Sequence, residues 1–153
     1  DRLSASGGIA AEALERTLKR DPDLDHIDEI KSIAVSRRLW NADVGMYGID
    51  AERALISELG IETVKVMFRL GPGADMSELR ESLIVALSAG KPAVLSTTRH
   101  YFFVQGYSDG KFFVGHTGEI MSNFGGKAQM TLEAIAGAGG EIHGLLIPQD
   151  AAR

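Results

Sequence analysis

Apolar positions recur at helical spacing through most of the first ninety residues and then switch to runs typical of strands. Ile9, Ala10, Ala11, Ala13, Leu14 and Leu18 line one face of a helix that follows Ser4-Ala5-Ser6-Gly7-Gly8 and extends to about Lys19. Its first turns are built of small residues, which lets it lie very close to a sheet, and its Ser-Gly-Gly start leaves backbone N–H groups open. Asp21-Pro22-Asp23 ends it, and a second amphipathic segment running from Asp25 through Ile27, Ile30, Ile33 and Ala34 toward Leu39 completes a helical hairpin. Residues 40–48 lack periodicity and read as an ordered surface loop with bulky side chains. Residues 49–59 resume helical spacing through Ala54, Leu55 and Leu59, with Gly60 as the C-cap. A strand over 61–68, a break at Gly71-Pro72-Gly73, and a helix over 76–89 with Leu79, Leu83, Ile84 and Leu87 on its apolar face follow.

From Lys91 onward the pattern predicts strands over 93–96 and 101–107, a turn at Ser108-Asp109-Gly110, and a strand over 111–114. Gly125-Gly126 and residues 137–140 mark loops, 132–136 a short helix, and 142–147 a closing strand. Helices followed by antiparallel strands define an α+β class, and 153 residues fit one domain spanning 1–153. With 44% hydrophobic and 24% charged residues, disorder and collagen are excluded, and the lack of Cys excludes a disulfide scaffold. A net charge of −5 argues against nucleic-acid partners. The apolar runs are too short for a membrane span, and residues 1–5 carry no secretory pattern, which leaves localisation open. A first residue of Asp rather than Met points to a domain excised from a longer polypeptide.

Candidate chemistry centres on His100, which stands at the mouth of an apolar strand directly after Ser96-Thr97-Thr98-Arg99. With Tyr107 opposite Lys111, Phe102 falls opposite His116, and the polar group of residue 116 comes within a diagonal step of His100. A second polar group that holds one imidazole nitrogen fixes the tautomer presented by the other. Ser6 is the candidate nucleophile, at a helix N-terminus whose dipole favours negative charge; the plainer reading makes it an N-cap and Gly7-Gly8 a tight turn. An alcohol gains little from the dipole alone, so a general base would have to activate it. His26 and His143 lack ligand spacing and no third ligand joins His100 and His116, so neither metal nor cofactor is expected. No phosphate-binding loop follows a strand. The acidic run Asp21, Asp23, Asp25, Asp28 and Glu29 reads as the solvated start of a helix.

The blocks Gly90-Lys91-Pro92-Ala93-Val94-Leu95, His100-Tyr101-Phe102-Phe103-Val104-Gln105-Gly106-Tyr107 and Lys111-Phe112-Phe113-Val114-Gly115-His116 resemble the papain-like bacteriocin-leader peptidase group. That group carries a "G-x-P-V-I-V" strand, an "H-Y-x-V-V-x-G-Y" strand with the catalytic His, and a next strand ending in "N-D-P". Ser6-Gly7-Gly8-Ile9-Ala10 is similar to its "C-G-P-x-A" opening, and the likeness runs from about Leu3 to Pro148. The resemblance implies a papain-like fold with a helical half packed on an antiparallel sheet, a nucleophile at Ser6, a base at His100 and an orienting group at His116. Gly7, Trp40, Met46, Tyr47 and Arg99 are the candidate peptide-binding residues around that cleft; Trp40, Met46 and Tyr47 read equally as a plug over the core.

Three departures stand out: Ser6 replaces the group's Cys, His116 replaces its Asp or Asn, and the Gln of the oxyanion hole would fall at or before the start of the chain. An engineered Cys-to-Ser change, a natural loss that left a peptide-binding module, and a working serine hydrolase each account for Ser6. Ser needs a fuller catalytic apparatus than Cys, which favours the first two. Gly45-Met46-Tyr47-Gly48 is similar to a feature of papain-like domains in phage tail and cell-wall-acting proteins, implying a peptide substrate such as the peptide stems of a bacterial wall. The competing class is a non-catalytic peptide-binding or structural module of a phage tail or transporter assembly, with the parent assembly as partner.

Overall fold

A computed structural model describes residues 6–41, 43, 45–115 and 129–151. Helices α1 (Ser6–Lys19) and α2 (Ile27–Ser36) form the hairpin that the sequence predicts. Next come β1 (Trp40–Asn41), β2 (Gly45–Met46), α3 (Ile49–Glu58), β3 (Thr63–Leu70) and α4 (Ser77–Ser88). The C-terminal part holds β4 (Ala93–Thr97), β5 (Tyr101–Ser108), β6 (Lys111–Val114), β7 (Gln129–Met130), α5 (Leu132–Gly139) and β8 (Ile142–Pro148). The class is α+β, with N-terminal helices and an antiparallel sheet ordered β3-β8-β4-β5-β6-β7.

Alternation along the strands gives the sheet two apolar faces. Val94, Tyr101, Phe103 and Leu146 pack with Ala10, Ala11, Leu14, Ile30, Leu55 and Ile56 from α1, α2 and α3. Leu95, Phe102, Val104, Phe112 and Leu145 pack on the other side with Leu79 and Leu83 of α4 and Leu132, Ile135 and Ala136 of α5. The helices therefore cover both faces. The strand expected over 61–68 lies at the sheet edge and pairs with β8, Val66 opposite Leu145, so the chain's last strand is interior.

Three local expectations are corrected. Residues 40–48 are not simply a loop, because Trp40 pairs with Met46 and Asn41 with Gly45 in a two-stranded ribbon. The short helix near 132 continues through Gly137 to Gly139, capped by Thr131 Oγ1, which accepts the Ala134 N–H at 3.1 Å. In the hairpin, Ser108 rather than Tyr107 faces Lys111. The turn is the two residues Asp109 and Gly110, both at positive φ (52° and 79°), the geometry of a type I′ turn. A bulge between Val104 and Gly106 then takes up one residue and brings Val104 opposite Val114, the register the sequence predicts for the far end of the hairpin. Gly115 donates its N–H to the Phe103 carbonyl at 2.7 Å, and His116 lies outside the described residues.

The α1–α2 hairpin is locked by charge as well as packing. His26 donates its Nε2–H to the buried Glu15 carboxylate, Lys19 reaches the other Glu15 oxygen at 2.8 Å, and the His26 backbone N–H donates to Glu12 at 2.7 Å. The bond to Glu15 raises the His26 pKa above its ordinary 6.5, outweighing the opposing effect of burial. Burial of Glu15 acts to raise its pKa, but the bonds from Lys19 and His26 together outweigh it and the net shift is downward from 4.5. The His26 contribution is full below the unfolded histidine pKa and disappears as pH rises through the higher folded value. The Glu15 contribution is present above the unfolded glutamate pKa and disappears as pH falls through the lower folded value. The urea midpoint should accordingly drop as pH rises from about 6.5, and His26→Ala should flatten that limb of the profile.

Candidate functional site

The first turn of α1 meets the head of β5 because its residues are small. A Cβ on Gly7 would stand 2.3 Å from Met46 Cγ and 2.8 Å from Glu52 Oε1, and one on Gly8 would stand 3.2 Å from Ile27 Cδ1. Ala10 and Ala11 are fully buried one turn further on. Ser6, only 2% exposed, thereby reaches the sheet, and its hydroxyl accepts the Tyr101 N–H at 3.1 Å. Among the described hydrogen bonds, the hydroxyl caps the strand's first amide and not its own helix.

His100 sits in a turn clamped from two sides. The Thr97 N–H and hydroxyl donate to the His100 carbonyl at 2.9 and 2.7 Å, and the His100 N–H returns to Thr97 Oγ1 at 3.1 Å. The Arg99 N–H donates to the Gly139 carbonyl at 2.8 Å and the Thr98 N–H to the Glu141 carbonyl at 3.0 Å, tying the turn to the end of α5. The His100 ring is as buried as Ser6 and meets Phe102 edge-on, with centroids 4.6 Å apart. Neither ring nitrogen has a hydrogen-bond partner among the described residues. Burial lowers the His100 pKa to about 4, so the imidazole is neutral at neutral pH. Ser6 and His100 thus meet through one peptide unit, that of Tyr101, without a bond between hydroxyl and ring.

The other residues singled out in the sequence divide between this junction and the surface. Gly7 and Met46 pack against each other beside Ser6, and Trp40, cross-strand from Met46, is half-buried against the α1–α3 side of the core. Tyr47 is exposed, with its hydroxyl bonded to the Asn41 amide. Arg99 turns its guanidinium to the Ala138 carbonyl at 3.1 Å, on the α5 side of the turn. Among the described residues no group of three or more His, Asp or Glu is arranged to hold a metal ion, and no helix is long and apolar enough to cross a membrane.

No protein family compared with the chain matches it, and no curated protein matches it either. The junction must be read from its own chemistry. That chemistry includes one group the sequence pattern did not single out, Glu52 of α3, which is fully buried with both carboxyl oxygens unpartnered among the described residues. Its neighbour Tyr101 has a phenol pKa raised first by burial and then by Glu52, against hydrogen bonds to Ser96 and the Gly48 backbone that act to lower it. The available signal was spacing: Glu52 lies three residues after Ile49 and three before Leu55, both buried, and so falls on the same helix face.

Proposed function

We propose that the chain is a papain-like peptidase domain of the bacteriocin-leader type, with Ser6 at the nucleophile position and His100 as the base. The observation that carries this reading is the 3.1 Å bond from the Tyr101 N–H to Ser6 Oγ, which sets the start of the small-residue helix beside the histidine at the head of the strand. In the reaction such a site performs, the side chain at position 6 attacks a peptide carbonyl carbon. His100 takes the proton released and returns it to the departing amine. A buried imidazole with a pKa of about 4 is a weak base for an alcohol, whereas a thiol in the same place ionises far more readily. On this reading the chain with Ser6 turns peptide over poorly.

A second reading, a peptide-binding or structural module without turnover, is favoured by the lack of a hydrogen bond between Ser6 and the His100 ring. One experiment separates the two. The chain has no Cys, so Ser6→Cys introduces a single thiol. Treated with a thiol-directed peptide electrophile, that variant should label at least about tenfold faster than a free thiol, a difference of about 1.4 kcal/mol in barrier. Adding His100→Ala should abolish the advantage. Labelling at the free-thiol rate, with or without His100, would leave the module reading.

A further inference from the structure

We propose that Glu52 is a positioning residue of this site: its carboxyl, seated against Gly7 in the first turn of α1, governs whether position 6 can carry negative charge. The inference rests on reading Ser6 as the nucleophile position. Three observations lead to it. Glu52 is 0% exposed, neither oxygen has a hydrogen-bond partner among the described residues, and Oε1 stands 2.8 Å from where a Cβ on Gly7 would be. Gly7 thus leaves the room the carboxyl fills, one residue from Ser6, with Met46 closing the rest.

An ionised carboxylate without donors in such surroundings is strongly disfavoured, so the site favours the protonated form. Burial accordingly pushes the Glu52 pKa well above the usual carboxylate range. While Glu52 is neutral, the partial positive charge at the start of α1 is free to favour an anion at position 6. Once Glu52 ionises, its charge competes for that same helix end and opposes a second one. The junction therefore holds one negative charge, not two.

Among the described residues, the surrounding elements supply little else that titrates. Tyr101 of β5 is the titratable group set against Glu52, and Ser6, Gly7 and Met46 bring none. On its own helix, Asp50 is paired with Lys65 at 2.6 Å and Arg53 donates to the Thr63 carbonyl at 2.8 Å. His100 precedes Tyr101, with its ring against Phe102.

Carbon-13 titration of the glutamate carboxyls tests this on the unsubstituted chain and on Ser6→Cys. In the unsubstituted chain the Glu52 carboxyl should remain protonated through pH 7. In the Ser6→Cys chain its midpoint should lie at least about one unit higher, a tenfold change in its ionisation constant, because the thiolate forms first. Because the thiolate forms while Glu52 still holds its proton, its alkylation rate with iodoacetamide should be unchanged within about twofold by Glu52→Gln at every pH below the raised Glu52 midpoint. A carboxyl that ionises in the ordinary range, or the same midpoint in both chains, overturns the proposal. The titration needs no substitution at position 52, so it decides the matter even where Glu52→Gln fails to fold. Neither arm uses a peptide or requires His100, so failure of the peptidase reading shows in the labelling experiment and not here.

Discussion

Phe102→Ala should destabilise the domain by about 3–5 kcal/mol, read as a fall in the urea midpoint at unchanged slope. Phe102 is fully buried on the α4–α5 face of the sheet, beside its cross-strand partner Leu95 of β4 and under the helices that cover that face. Truncation removes the ring's transfer free energy and leaves a cavity that neighbours on a six-stranded sheet cannot close. The same ring is the edge-on partner of His100, so the effect reaches the candidate site. With the wall gone, water gains access to the imidazole and its pKa should climb from about 4 toward the ordinary 6.5. Proton NMR titration of the His100 ring resonances measures this directly. A ring still titrating near 4 in a folded Phe102→Ala chain would show that Phe102 is not what keeps it dry.

Gly139→Ala should cost about 1–3 kcal/mol, whereas Gly137→Ala two residues earlier should be neutral or stabilising by up to about 1 kcal/mol. A Cβ on Gly139 would stand 2.2 Å from Thr97 Oγ1, 2.8 Å from Thr97 Cβ and 2.9 Å from Phe102 Cε2, whereas one on Gly137 would meet nothing within 4 Å. Thr97 cannot step aside, because its hydroxyl and N–H hold the His100 carbonyl and its strand is interior to the sheet. The added methyl must push the turn that carries His100 away from the end of α5. The paired substitutions separate that push from helix propensity, which favours Ala at both sites. Thermal melts of the two variants, with the His100 resonances as a local probe, check the prediction. Equal melting points would mean that α5 slides away without disturbing the turn.

Legibility in the sequence followed the range of the interactions involved. The helix ends at Gly60 and Gly90 and the turn at Asp109-Gly110 depend on positive φ, which neighbouring residues alone signal. The bulge in β5 has no such signature: Gly106 marks a place where Phe113 packs 3.1 Å from a missing Cβ, a cross-strand contact that spacing does not announce. Glu52 was obscured because Ala54, Leu55 and Leu59 also make an apolar stripe. The face that α3 buries instead holds Ile49, Ala51, Glu52, Leu55 and Ile56. Hydrophobicity alone ranks a glutamate out of a core, so its burial emerges only when α1 arrives with a glycine opposite it.

By itself the sequence determined the α+β class and the positions of the main helices and strands, since periodicity and turn residues are local properties, and it offered Ser6 and His100 as candidates. Tertiary structure decided that β8 is interior and β3 an edge, that the Ser6 hydroxyl binds the Tyr101 amide, that His100 is buried, and that a carboxyl lies under Gly7. Each of these is a contact between segments distant in the chain. It exists only once helices close on both faces of the sheet, because burial is a property of the assembled core and not of any residue's neighbours in sequence.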